Sequence, residues 1–202
     1  MKTKINHIEN DWKRIKNHCR TTVNKEFTEN EPSEKFKQEL LISEHSPIRL
    51  LQIDWSWKDI KYWVGMEWAR HKWEKFISTQ RTDRTGEDRN SKPQDSLINF
   101  DGFANAQNLI DTERKRLCYQ ASKEARELGE DLKVELHKYE PELADVLVPN
   151  CIYRGGCPEF KTCGYWNNFT GKNKELDLLN IKTRYEAYNK DFFNTKEKTN
   201  ND

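Results

Sequence analysis

The apolar positions of this chain fall into short patterns set between long polar stretches. Within the polar residues 1–40, Ile5, Ile8, Trp12 and Ile15 recur at steps of three and four, which predicts an amphipathic helix. Residues 24–33 are acidic and turn-like, and 36–42 carry enough apolar character for a short helix or strand. Leu51, Ile53 and Trp55 then alternate with polar neighbours, the period of a half-buried strand over 48–55, with Pro47 at its tolerated start. Ser56 can cap a following helix to about Arg70, with Ile60, Trp63, Val64 and Trp68 on its inner side. Residues 75–81 suit a second strand, and 82–95 form a polar loop long enough to suggest a functional or mobile segment.

The longest helical pattern runs from Ala104 to about Tyr139, with Leu117, Ala121, Ala125, Leu128, Leu132 and Leu136 at steps of three or four. Gly129 is a place where it can bend or divide. Pro141 and Pro149 bracket a short segment, Glu142 to Val148. The pattern as a whole predicts one domain over 1–170 and a charged tail over 171–202, partly disordered towards its end.

Composition sharpens this picture. Charged residues and the hydrophobic class each make up 34% of 202 residues, yet there are seven Trp, seven Tyr and nine Phe. The buried area must come from a few large rings, so Trp55, Trp57, Trp63, Trp68 and Trp73 read as core rather than as a stacking platform. A net charge of +1 lacks the basic excess of a protein that binds nucleic-acid polymers. No apolar run approaches a membrane span, and Met-Lys-Thr-Lys-Ile-Asn is no secretory signal, so the expected location is cytoplasmic. Five cysteines, an odd count, are then expected as reduced thiols. Cys151, Cys157 and Cys163, joined by Cys118, would suffice for a zinc site. Their spacing is not the Cys-x-x-Cys pair of such sites, and thiols packing a turn-rich segment are the preferred reading, with no metal expected. His7, His18 and His137 stand alone and read as surface.

Candidate chemistry lies in two places. Arg70, His71 and Lys72 follow an aromatic segment and precede Ser78, Gln80 and Arg81. These side chains donate directional hydrogen bonds of the kind that hold phosphates and pyrimidine carbonyls; the bland alternative is a solvated basic turn. Arg116, Gln120 and Glu124, spaced by four, would line one face of the long helix, with Asn105 and Gln107 earlier on it. Taken singly, each fits a solvated face laced with ion pairs.

Together these residues carry a resemblance. Arg116-x-x-x-x-Ala121-x-x-Glu124-x-Arg126 resembles the late signature of flavin-dependent thymidylate synthases, Arg-x-x-x-x-Ala-Gln-x-Glu-Ile-Arg. Asn105-x-Gln107 is similar to that family's Asn-x-Arg flavin contacts, and Arg70-His71-Lys72 to the opening of its Arg-His-Arg-x-x-Ser-x-Asn-Glu-x-Ser-x-Arg motif. Glu44-His45 resembles the Glu-His ahead of its first inner strand. The four elements occur in order over residues 44–126, and the run from Arg70 to Gly86 looks most like short phage members.

The resemblance implies an α+β fold, an antiparallel sheet flanked by long helices, in a homotetramer with FAD at subunit interfaces. It implies synthesis of dTMP from dUMP, with methylenetetrahydrofolate as carbon donor and NADPH as reductant of the flavin. Arg70, His71, Lys72, Asn105 and Gln107 would contact the cofactor. Glu67, Ser78, Gln80, Arg81 and Gln120 would hold the nucleotide, and Arg116 would lie against the uracil as the catalytic charge. This chain departs from the motif in several places. Lys72 replaces an arginine, Lys75 a serine, Ile77-Ser78 an Asn-Glu pair, Gln107 an arginine, and Glu67 a glutamine that reads the uracil edge. A carboxylate in place of an amide changes which pyrimidine fits, so a C5-hydroxymethylase and a non-catalytic nucleotide-binding descendant are the alternatives.

Overall fold

A computed structural model describes residues 3–201, without the side chains of 199–201. Four strands form one antiparallel sheet in the order β1-β2-β4-β3: β1 (Lys4–Glu9), β2 (Gln52–Lys61), β3 (Glu74–Ile77) and β4 (Leu97–Asn105). Around it lie α1 (Trp12–Thr21), α2 (Glu34–Ile42), α3 (Tyr62–Trp68), the single turn α4 (Thr82–Thr85), α5 (Ala106–Arg116), α6 (Lys123–His137), α7 (Pro141–Val146), α8 (Asn150–Arg154), α9 (Tyr165–Lys172) and α10 (Ile181–Asn201). The α+β class expected from the sequence is the class observed.

The core is built on rings. Trp55 and Trp57 on β2, Trp68 on α3, Trp73 beside β3 and Phe100 on β4 are all buried, with neighbouring ring centroids 4.8 to 6.5 Å apart. The indole N–H of Trp73 donates to Thr112 Oγ1 at 3.0 Å, and that of Trp57 to Thr3 Oγ1 at 2.9 Å. Gly102 lies opposite Trp55 in the sheet, and a Cβ there would sit 2.3 Å from the indole ring. Trp55, Trp57, Trp68 and Trp73 are core, as the composition predicts, whereas Trp63 is half-buried and packs against it from outside.

Several elements differ from the sequence reading. The helix expected across Ile5, Ile8, Trp12 and Ile15 is a strand followed by a helix. A bulge between Ile5 and His7 places the inward residues of β1 three apart, which imitates a helical step. Likewise β2 runs on to Lys61, past the expected helix start at Ser56. Its own bulge between Trp57 and Ile60, with Asp59 at φ +54, spaces its inward residues by three. Strand β4 lies where no element is predicted up to Phe103, and its last two residues take the first two of the expected long helix. The expected single helix from Ala104 to Tyr139 is two, broken at residues 117–122 rather than at Gly129, with Ser122 capping α6. Gly129 stays helical and lets α6 approach Glu113 on α5. In the segment read as a charged tail, α10 buries Arg184, Tyr185, Ala187 and Tyr188 against the body. Among the described residues no helix is long and apolar enough to cross a membrane. Nor, among them, is any cluster of three or more His, Cys, Asp or Glu side chains placed to hold a metal ion.

Candidate active site

The site forms where the turn after α3 meets α5. Trp68 and Trp73 are both fixed in the core, so the residues between them are forced outward: Arg70 and Lys72 are exposed and His71 is half-buried. Lys75 holds this turn by donating to the His71 carbonyl at 2.7 Å. Facing it, Asn105 caps α5, its Oδ1 accepting from the Asn108 N–H at 2.9 Å. One face of α5 then presents Asn108, Asp111, Thr112 and Lys115 to the turn. Between turn and helix lies a cleft of about 580 Å³ bounded by His71, Lys72, Glu74, Lys75, Asn105 and Asn108. A smaller hollow of about 280 Å³ continues it past Arg70 to Lys115.

Arg116, at the end of α5, stands behind His71, and neither it nor Glu67 lines the cleft or the hollow. Its Nε donates to His71 Nε2 at 2.8 Å, its Nη1 to Glu67 Oε2 at 3.0 Å, and its Nη2 to the Glu67 carbonyl at 2.8 Å. Burial pulls the guanidinium below its ordinary value while Glu67 raises it, and an arginine stays charged in either case. Burial, then the positive charge of Arg116, drive the His71 imidazole down to about 4. At neutral pH His71 is therefore uncharged, accepts at Nε2 and keeps its proton on Nδ1. Three groups from α3 and its turn thus fix the one arginine in a single orientation.

The residues singled out in the sequence separate on this frame. Glu67, Arg70, His71, Lys72, Asn105 and Arg116 come together. Gln107 is turned aside: its amide donates to Glu44 Oε2 at 2.6 Å and to Asp111 at 3.4 Å. Glu44 also takes a short ion pair from Arg114, whose guanidinium lies over the Tyr153 ring. Ser78 is occupied at the sheet edge, its Oγ accepting from the Asn99 N–H at 3.0 Å. Gln80 and Arg81 follow in the exposed segment, where Arg81 pairs with Asp83 at 2.7 Å. None of these three lines the cleft. Gln120 and Glu124 do not share a helix face with Arg116, because the chain breaks between them. Gln120 donates to the Lys161 carbonyl at 2.7 Å and Glu124 pairs with Lys61 at 3.4 Å. Sequence reasoning missed Asn108, Thr112 and Lys115, which share the three- and four-residue spacing of one helix face with Asn105.

No family model matches this chain, and no curated protein matches it. Among solved structures, the flavin-dependent thymidylate synthase of Helicobacter pylori complexed with FAD and dUMP is similar, with TM-score 0.57 and 14% identity, covering 69% of this chain and 97% of that one. A second structure of that enzyme with FAD and dUMP gives TM-score 0.59 at 14% identity, over 73% and 99% of the two chains. A UMP/dUMP methylase from Streptomyces cacaoi, bound with 5-Br dUMP, gives TM-score 0.58 at 11% identity, over 71% and 93%. At such identities what is shared is the backbone architecture, and on that ground this chain has the flavin-dependent thymidylate synthase fold.

Proposed function

We propose that this protein is a flavin-dependent enzyme that adds a one-carbon unit at C5 of a pyrimidine deoxynucleotide. The substrate is dUMP, methylenetetrahydrofolate gives the carbon, and NADPH reduces FAD. The observation that carries the reading is Arg116, a charged group held by Glu67 and a neutral His71 beside a cationic, half-open cleft. The fold neighbours whose structures contain FAD and dUMP support it.

The donor set of the cleft suits a dinucleotide cofactor. Arg70, Lys72, Lys75 and Lys115 stand on its walls against the carboxylates of Glu74 and Asp111, so the walls are net positive with His71 neutral. A diphosphate needs such cations and directional N–H donors, which Asn105 and Asn108 add. Bound FAD would supply the hydride. The protein's own part is positioning and electrostatics. Arg116 places a positive charge beside the pyrimidine carbonyls and so stabilises the electron-rich ring from which C5 attacks the one-carbon donor. His71, lacking charge, orients Arg116 without competing for the anion. Asn105 faces the cofactor from the start of α5, and Gln107, bonded to Glu44, braces that start from the far side. Ser78, Gln80, Arg81 and Gln120 contact the nucleotide in a homotetramer whose sites lie between subunits.

A second reading rests on Glu67. A carboxylate beside Arg116 favours a pyrimidine edge that donates rather than accepts, so a C5-hydroxymethylated product, or cytosine as the base, is the alternative. One experiment separates these. Purified protein is incubated with FAD, dUMP or dCMP, methylenetetrahydrofolate and NADPH, and products are identified by mass. Appearance of dTMP alone supports thymidylate synthesis, and a hydroxymethylated nucleotide supports the second reading. A colourless protein that takes up no FAD and shows no spectral change with dUMP refutes both and leaves a nucleotide-binding descendant.

A further inference from the structure

Away from the cleft, α6, α9 and α10 enclose a second cavity of about 460 Å³. Its wall begins with a stack of near-parallel rings. Tyr119 lies on Tyr165 with centroids 4.9 Å apart at 17°, and Tyr165 on Phe169 at 6.4 Å and 18°. The Arg126 guanidinium sits 4.1 Å from the Tyr119 ring centroid. Its Nε donates to Glu130 at 3.2 Å, while its two terminal nitrogens make no hydrogen bond among the described residues. Glu130 also pairs with Lys196 at 2.7 Å, so one carboxylate is shared by two cations. Lys172 stands on the same wall with no ion pair among the described residues, opposed by a single further acid, Asp191. The cavity thus has a positive excess, an open guanidinium fork and an apolar lining from Leu117, Phe169, Tyr188 and Phe192 beside it.

We propose that this cavity is a second ligand site, for a planar aromatic ring that carries an anionic group, phosphate or carboxylate. The apolar side chains of the lining take up the ligand's ring, and Tyr119, stacked under Arg126, holds the guanidinium in place beside it. The free fork of Arg126 grips its anion through two parallel hydrogen bonds, with Lys172 adding charge. The volume lies within the roughly 300 to 1,000 Å³ of small-molecule sites. A neutral ring leaves the fork unpaired, and a free inorganic anion leaves the apolar lining wet. The proposal is independent of the flavin chemistry assigned to the cleft on α5.

Cys163 is an exposed thiol on the cavity wall and reports its occupancy. Alkylation by iodoacetamide is followed by peptide mass in the absence and presence of millimolar AMP, benzoate, adenosine or inorganic phosphate. Cys157, outside the cavity, is the internal reference. AMP or benzoate is expected to slow Cys163 alkylation several-fold, with adenosine and phosphate doing far less; which of the two anions protects identifies the phosphate or the carboxylate class. Arg126→Gln, and separately Tyr119→Leu at a half-exposed position, are each expected to abolish the protection. Absence of protection by both anions overturns the proposal. So does protection that survives in either correctly folded variant, or that extends equally to Cys157.

Discussion

Glu113 offers a test of the packing between α5 and α6 that does not depend on any ligand. Its carboxyl is fully buried, with neither oxygen hydrogen-bonded among the described residues, against Gly129, where a Cβ would stand 2.7 Å from Oε2. Burial pushes the group from 4.5 up to about 8, over the opposing pull of Lys133 and Arg116; Glu130 adds to the rise. Between those two values the folded protein holds a proton that the unfolded chain has released. The stability linked to Glu113 is therefore complete below 4.5 and is lost as pH rises towards 8. At about 1.4 kcal/mol per unit, the loss between roughly pH 5 and 7 is on the order of 2 to 3 kcal/mol. Lys133 acts with the opposite sign, since burial lowers it from 10.5 to about 7 and its stability returns only as pH climbs through that window. The comparison is therefore confined to pH 7 and below. Glu113→Gln keeps the shape and removes the titration. Urea unfolding of wild type and variant at several pH values between 5 and 7 gives a difference in which the shared groups cancel. The wild type should lose that 2 to 3 kcal/mol relative to the variant as pH rises. Parallel profiles, or a gap of opposite sign, would refute the account of Glu113 as a neutral buried acid.

Other expectations follow from single contacts. Gly102→Ala drives a methyl into the Trp55 ring and should cost about 1 to 3 kcal/mol of stability, read as a lower midpoint in thermal or urea unfolding. His71, held down at about 4, binds fewer protons than its unfolded counterpart at 6.5, so its contribution is lost as pH falls through that window. His71→Gln should flatten the stability profile there while its amide oxygen still accepts from Arg116. Arg116→Ala should lower turnover far more than FAD retention, measured by steady-state rate against flavin absorbance; equal loss of both would remove Arg116 from the pyrimidine.

The architecture was legible where one residue type at one period marked an element. Leu128, Leu132 and Leu136 fixed the body of α6, and the alternation Leu51, Ile53, Trp55 fixed the strand direction of β2. It was illegible where a bulge altered the period. Ile5 and Ile8, and again Trp57 and Ile60, sit on one sheet face although three residues apart, and a spacing of three is the same signal a helix gives. Strand β4 was hidden for another reason. Its inward set is Ile98, Phe100, Gly102 and Ala104, and Gly102 is small because the Trp55 ring occupies the space it leaves. Large rings that carry the core in one strand erase the hydrophobic signal of the strand beside it.

The site shows the same division between what a pattern encodes and what only packing decides. Arg114, Lys115 and Arg116 are adjacent and chemically alike, yet the helix rotates each by about 100° from the last. Arg114 turns inward to Glu44 and Tyr153, Lys115 reaches the mouth of the cleft, and Arg116 meets Glu67 and His71. Nothing in the three side chains distinguishes these fates. The distinction comes from where α5 begins, at the Asn105 cap, and from Trp68 and Trp73, which fix the facing turn. A motif match selects Arg116 because it carries that phase implicitly, whereas charge and spacing alone would accept any of the three. Moving the cap by one residue would present a different cation to the cleft, so the Asn105 bond to the Asn108 N–H is as much a part of the site as the arginine it aims.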